Sequence, residues 1–213
     1  MSSPGADASV CDRLRTLGVS RETRRDLARF AELLRHWTRR VNLVAPSTVD
    51  HLWERHILDS AQLCVLSPRT DGLWLDIGSG AGLPGLVCAL VAQDIRPETQ
   101  FALVESDRRK CAFLSTCVRE FGLTAKIHTA RIEELPSQSA TVVSARALAP
   151  LTRLIALAQP HALPGATFLF PKGARYMSEI AEAQASWRFT ATAHPSITDP
   201  AARILECQLA ARV

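Results

Sequence analysis

The chain has no CxxC pair among its six cysteines, no basic start leading into an apolar stretch, and no apolar run longer than the seven residues 86–92. Each absence excludes something. A transmembrane helix needs about 20 apolar residues, so none is expected, and MSSPGADASV at residues 1–10 does not read as a secretory leader. A core of this size needs no covalent staples, so Cys11, Cys64, Cys88, Cys111, Cys117 and Cys207 are expected to be reduced small hydrophobes. His128, His161 and His194 show no metal-ligand spacing with cysteines or acids, and no metal site is expected. There is no internal repeat and no low-complexity tract. These features describe a cytoplasmic protein without a membrane partner.

What is present is the balance of a globular chain: 213 residues, 47% hydrophobic and 22% charged, enough for one main domain with an appendage. The net charge of +4 permits a polyanionic partner without demanding one. Its distribution is more telling. Residues 1–60 hold ten arginines, no lysine and eight acids, with Arg21, Arg24, Arg25, Arg29, Arg35, Arg39 and Arg40 crowded together. Such a stretch is either a solvated helix face or a surface for phosphates.

Leu27, Phe30, Ala31, Leu34 and Trp37 recur at three- and four-residue steps, which predicts an amphipathic helix over residues 21–40. A second helix is predicted over residues 47–66, with Val49, Leu52, His56 and Leu63 on one face. Pro68, Asp71 and Gly72 then punctuate the chain, so residues 1–70 read as a helical N-terminal extension and residues 71–213 as the main domain. Beyond that point short apolar runs alternate with helical stretches, the texture of a doubly wound α/β fold around a mostly parallel sheet. Strands are predicted at 73–77, 101–105, 125–128, 142–145 and 167–170, helices at 84–93, 108–121 and 150–157, and a closing antiparallel hairpin from 189–193 and 204–209.

WLDIGSGAGLPG (residues 74–85) runs an apolar strand into a glycine-rich turn and a helix, where the backbone turns tightly and lets a ligand approach without a Cβ in the way. Gly80, Gly82 and Gly85 also satisfy GxGxxG, a weak match that brings dinucleotide enzymes into consideration. Asp76 argues for S-adenosylmethionine instead: a carboxylate at the strand end suits a cationic methionyl amine and gives nothing to a pyrophosphate. Glu105, ending the next strand, is placed to accept both ribose hydroxyls of either cofactor. ARIEELP (130–136) is a candidate adenine loop, with the Ile132 backbone and the Glu133 carboxylate reading the ring edge. VVSARALAPL (142–151) delivers Ser144 and Arg146 to the carboxyl edge of the sheet, where Arg146 would meet cofactor, RNA phosphate or a neighbouring acid. Lys172, after the fifth strand, faces the same edge, either toward RNA phosphate or as a plain turn residue. His56 and Asp59 are expected to anchor the extension to the core rather than to catalyse.

These segments, with W-x3-VNL (37–43), ERHILDS (54–60), LVESDRRKCAFL (103–114), SARA (144–147) and FPKG (170–173), resemble in order the small-subunit ribosomal RNA methyltransferase G family, also called glucose-inhibited division protein B. The resemblance spans nearly the whole chain. It implies a Rossmann-like class I methyltransferase that moves a methyl group from S-adenosylmethionine to a guanine N7 in the decoding-region loop of 16S ribosomal RNA. It further implies cofactor contacts at Gly78, Leu83, Ile132, Glu133 and Arg146, which join Asp76, Gly80 and Glu105 from the residue reading. Thr38, where the family usually has asparagine, and Val44, where it usually has threonine, depart from the pattern outside the cofactor loops.

No Asn- or Asp-Pro-Pro-aromatic motif follows the fourth strand, and no nucleophilic cysteine stands there, as amine and cytosine C5 enzymes respectively require. Guanine N7 has a free lone pair, so its methylation can rest on alignment, with Arg146 and Lys172 the candidates near the substrate. The expected partner is 16S ribosomal RNA or the small subunit, not DNA, met by a monomer whose residues 1–70 contact RNA. The rival readings are a small-molecule methyltransferase, a non-catalytic cofactor-binding assembly factor and, last, a dinucleotide enzyme.

Overall fold

The computed structural model describes residues 8–69 and 71–213. Residues 1–7, which make up most of the stretch read as lacking a leader, and Thr70, at the expected boundary, lie outside the described residues. Seven strands form one sheet: β1 (Gly72–Ile77), β2 (Thr99–Glu105), β3 (Ala125–Thr129), β4 (Ala140–Ser144), β5 (Ala162–Lys172), β6 (Trp187–Pro195) and β7 (Arg203–Arg212), in the order β3-β2-β1-β4-β5-β7-β6. The first five are mutually parallel, and β7 runs antiparallel to both β5 and β6, as the closing hairpin requires. Between β2 and β4 the chain reverses its direction of travel across the sheet at β1. That switch opens a crevice at the carboxyl ends of the strands.

The strands alternate side chains between two cores, as their period of two dictates. Trp74, Phe101, Leu103, Val142 and Leu169 face one core, and Leu75, Ile77, Ala102, Val104, Val143, Phe168 and Phe170 the other. The first core is covered by α4 (Gly85–Ile95), α5 (Arg108–Glu120) and the N-terminal helices α1 (Ala8–Thr16), α2 (Arg21–Thr38) and α3 (Asp59–Leu66). The second is covered by α6 (Leu151–Ala158) and α7 (Tyr176–Gln184). Every residue from Gly85 to Ala92 is buried, because α4 is sandwiched between sheet and N-terminal helices. A helix apolar all round is a buried one, which accounts for the longest apolar run in the sequence.

Ser20 caps α2 by accepting the Thr23 N–H at 3.1 Å, and Leu27, Phe30, Ala31 and Leu34 are fully buried on one face, as the period predicts. The helix expected over 47–66 is present but does not keep one pitch. It is a 3-10 segment (Pro46–His51), a π-helical segment (Trp53–Leu58) and α3. Pro46 starts the first piece, and the wider π turn shifts the facing of His56 relative to Leu52, so a single 3.6-residue face does not describe the segment. Two helices, α1 and α7, lie where no helix is predicted. Among the described residues no helix is long and apolar enough to cross a membrane.

Candidate functional site

The turn after β1 is built by glycines with positive φ: Gly78 (+67°), Gly80 (+55°) and Gly82 (+76°). Their surroundings separate their roles. A Cβ on Gly80 would meet nothing nearer than 3.8 Å, so the backbone there is open to a ligand, whereas one on Gly85 would stand 2.4 Å from Leu103 and 2.6 Å from Asp76 Oδ2. Gly85 therefore serves close packing of helix on strand. The Ser79 N–H donates to the Val104 carbonyl at 3.0 Å, and its hydroxyl to the Asp76 carbonyl at 2.9 Å, pinning the turn across β1 and β2.

Asp76 is fully buried and lines no part of the cleft above this turn. Its Oδ1 accepts from Ser144 Oγ at 2.6 Å and its Oδ2 from the Gly85 N–H at 3.3 Å, while Trp74 Nε1 donates to the same Ser144 hydroxyl at 2.9 Å. Burial pushes its pKa up to about 6, opposed by the hydrogen bonds from Ser144 and Ser79. Both carboxylate oxygens of Asp76 therefore meet protein donors from β4 and α4. Asp76 holds the turn from behind, because its side chain points between β1 and β4 instead of into the crevice.

Glu105 does reach the cleft. Its Oε2 accepts from the Gly80 N–H at 2.9 Å and its Oε1 from the Asp107 N–H at 2.8 Å, which leaves each oxygen a further lone pair for a hydroxyl. One arm of the cleft, about 460 Å³, brings together Gly78, Gly80, Glu105, Lys110, Ile132, Glu133, Arg146 and Leu148. Ile132 is buried, and Glu133 is exposed and paired with Arg153 at 2.8 Å. A second arm, about 670 Å³, adds Leu83, Val44, Thr48, His56 and Asp59, and a third, over the ends of β4 and β5, is lined by Arg146, Lys172, Arg175 and Arg203.

Arg146 lines all three arms. It donates to the Arg55 carbonyl at 3.0 Å and to Asp59 Oδ2 at 3.5 Å, and pairs with His56 Nδ1 at 3.0 Å. A guanidinium has no acceptor, so His56 Nδ1 is unprotonated and its Nε2–H donates to Thr48 Oγ1 at 2.9 Å. Burial, then Arg146 and Arg55, hold the His56 pKa down at about 4. His56 and Asp59 thus do tie the N-terminal helices to the sheet. Lys172, in contrast, is no free cation: its side chain is 8% exposed and donates to the Ala149 carbonyl at 2.9 Å and Glu179 at 2.7 Å. Expected near the substrate, it lines the third arm while its ammonium stitches β5 to the loop before α6 and to α7.

A family model described as rRNA small subunit methyltransferase G, GidB, matches residues 23–204. The chain belongs to this family. It is 52% identical over 203 residues to the ribosomal RNA small subunit methyltransferase G of Cereibacter sphaeroides, covering 95% of this chain and 98% of that one. The protein of the same name from Ruegeria pomeroyi is 46% identical over 198 residues, covering 93% and 97%. Among solved structures, the mitomycin 7-O-methyltransferase MmcR aligns with a TM-score of 0.58 at 13% identity, over 95% of this chain and 66% of that one. M. jannaschii TYW2 in complex with AdoMet aligns at 0.55 and 8%, over 73% and 76%. At such identities the likeness shows the fold alone, a class I methyltransferase sheet. All the motifs that carry the family resemblance fall inside the matched span.

Sequence reading missed Lys110, Ala147 and Leu148. Asp107 caps α5 by accepting the Arg109 and Lys110 N–H groups, which places Lys110 at the cleft floor. Ala147 has a positive φ of 53°, uncommon outside glycine, and the turn it makes carries Leu148 over Gly78 with 40% of its surface exposed. Neither backbone angle nor long-range contact leaves a mark in a single sequence.

Proposed function

We propose that this chain methylates N7 of a guanine in the decoding-region loop of 16S ribosomal RNA, using S-adenosylmethionine. The observation that carries the reading is the open backbone at Gly80 beside Glu105, at the switch point of a sheet in a chain of this family. Those residues fit the cofactor: Gly80 leaves room where a side chain would stand, and Glu105 offers lone pairs to two hydroxyls. Gly78, Gly80 and Leu83 would hold the methionyl part, Glu105 the ribose, Ile132 and Glu133 the adenine, and Arg146 the methionyl carboxylate, with Asp76 acting from behind the turn. When bound, the cofactor supplies an electrophilic methyl group on a sulfonium. The chain's own task is alignment, because N7 presents a lone pair and no proton has to be removed. In keeping with that, His56 and Asp59 are committed to Arg146 and are not offered as general bases.

The RNA is held by exposed cations: Arg175 on the rim of the third arm, and Arg39 and Arg40 at the end of α2, just before Val44 enters the cleft. Phosphate contacts of this kind position the substrate while the cleft selects the base. Residues 1–70 act as the RNA-contacting extension, residues 71–213 as the methyltransferase domain, and the protein works as a cytoplasmic monomer. The test is to incubate the protein with labelled S-adenosylmethionine and ribosomal RNA or subunits from a strain lacking the gene, then map the modified nucleoside. 7-Methylguanine is expected; a methylated amine, ribose or pyrimidine overturns the reading.

A further inference from the structure

Arg146 enters the cleft from the loop after β4, yet the partners of its guanidinium are the Arg55 carbonyl, His56 and Asp59, all within five residues of the N-terminal segment. Five N–H donors in one rigid plane mean that three partners on one helical turn set the orientation of the group as well as its place. Arg55 and His56 lie in the π-helical segment and Asp59 directly follows it, a local widening often found where a helix serves a site. Asp59 does more than meet Arg146. Its Oδ1 accepts from Gln62 Nε2 at 2.9 Å, Thr198 Oγ1 at 2.9 Å and Ser196 Oγ at 3.4 Å. One carboxylate therefore joins the N-terminal helix, the Arg146 loop and the turn between β6 and β7. An anchor serving only to hold helix to sheet has no reason to stand in the cleft, and Asp59 lines two of its arms.

We propose that Asp59 and His56 are positioning residues for Arg146, holding its guanidinium where the three arms meet, so that the N-terminal helix completes the methyl-transfer site. This rests on reading Arg146 as a contact of the cofactor. The experiment is a double-mutant cycle in S-adenosylmethionine affinity, read by calorimetry on the full chain with melting curves as the folding control. Arg146→Ala and Asp59→Asn should each weaken binding about tenfold or more, and the double variant should bind no more weakly than Arg146→Ala alone. Losses that multiply, or an Asp59→Asn affinity equal to wild type, overturn the proposal. His56 provides a second pair should Asp59→Asn not fold: His56→Phe removes the acceptor and should match Arg146→Ala, while His56→Asn restores an acceptor and should recover most of the lost affinity. Equal affinities for those two variants also overturn it. An Arg146→Ala variant that binds like wild type removes Arg146 from the site, and the proposal with it. Methyl transfer by wild type to ribosomal RNA keeps the two readings apart: binding without RNA methylation rejects the RNA substrate while a non-additive cycle still supports the positioning role, and an active wild type with multiplying losses rejects the positioning role alone.

Discussion

On the β1–β2 side of the cleft the lining groups come from one turn and the end of the next strand, Gly78 to Leu83 with Glu105, and most are backbone. On the β4 side they are side chains gathered from far apart, with Arg146 lying 87 to 91 residues from its partners Asp59, His56 and Arg55. The first side is specified by local conformation, since positive φ and the absence of a Cβ act within a few residues. The second is specified by packing, and stands or falls with the seating of the N-terminal helices. Substitutions on the two sides should therefore fail in different ways.

The largest effect is expected at the turn. Gly80→Val places a β-branched residue at φ +55° and fills the open approach, so S-adenosylmethionine affinity should fall more than about 100-fold in calorimetry. Asp76→Asn, acting through the turn from behind, should weaken binding only about tenfold. Equal losses for the two would place Asp76 in direct ligand contact and break the contrast.

Acid should separate the sides by sign. His56 is held at about 4 against an ordinary 6.5, so the unfolded chain takes up its proton first and stability is lost as pH falls from 6.5 to 4. Asp76 is raised to about 6 against 3.8, so the folded chain takes up that proton first and stability is gained as pH falls from 6 to 3.8. For the fully buried Asp76 this amounts to about 3 kcal/mol at most, and for His56, which is partly open to solvent, to less because water screens it. Urea unfolding from pH 4 to 7 should show opposite differences from wild type for His56→Asn and Asp76→Asn. Differences of the same sign would contradict the burial that sets both shifts.

A smaller effect sharpens the comparison at the seam. Ser144→Ala leaves Trp74 Nε1 and one Asp76 oxygen without their partner, and should lower stability by about 2 kcal/mol with little change in RNA affinity. The smallest concerns the cations at the end of α2. Changing Arg35, Arg39 and Arg40 together to alanine should alter stability by no more than about 0.5 kcal/mol and leave cofactor affinity alone. RNA titrations at several salt concentrations should meanwhile flatten by about one unit of slope or less per lost phosphate contact. Parallel salt plots would move RNA binding to Arg175 and its neighbours.

The sheet, its closing hairpin and the glycine turn were legible because each is written locally: apolar runs of strand length, a change of period, and glycines where φ is positive. The extension was legible in full at α2, whose buried face has a clean period, and in extent but not in facing over residues 47–66, where a 3-10 and a π segment change the pitch midway. Lys172 and Asp76 show the limit for side chains. Both stand at strand ends, and only packing decided that one is paired with Glu179 and the other with Ser144 and Gly85.

The amino-acid sequence by itself determined the succession of the strands and of the helices other than α1 and α7, the glycine turn with Glu105 beyond it, and the ordered motifs that mark the family, since these depend on residues close together along the chain. Only the tertiary structure decided which charges are free and which are spent within the protein, and that the N-terminal helix supplies the partners of Arg146. Burial and hydrogen bonding between residues some ninety positions apart depend on how the layers close on one another, and no local pattern carries that.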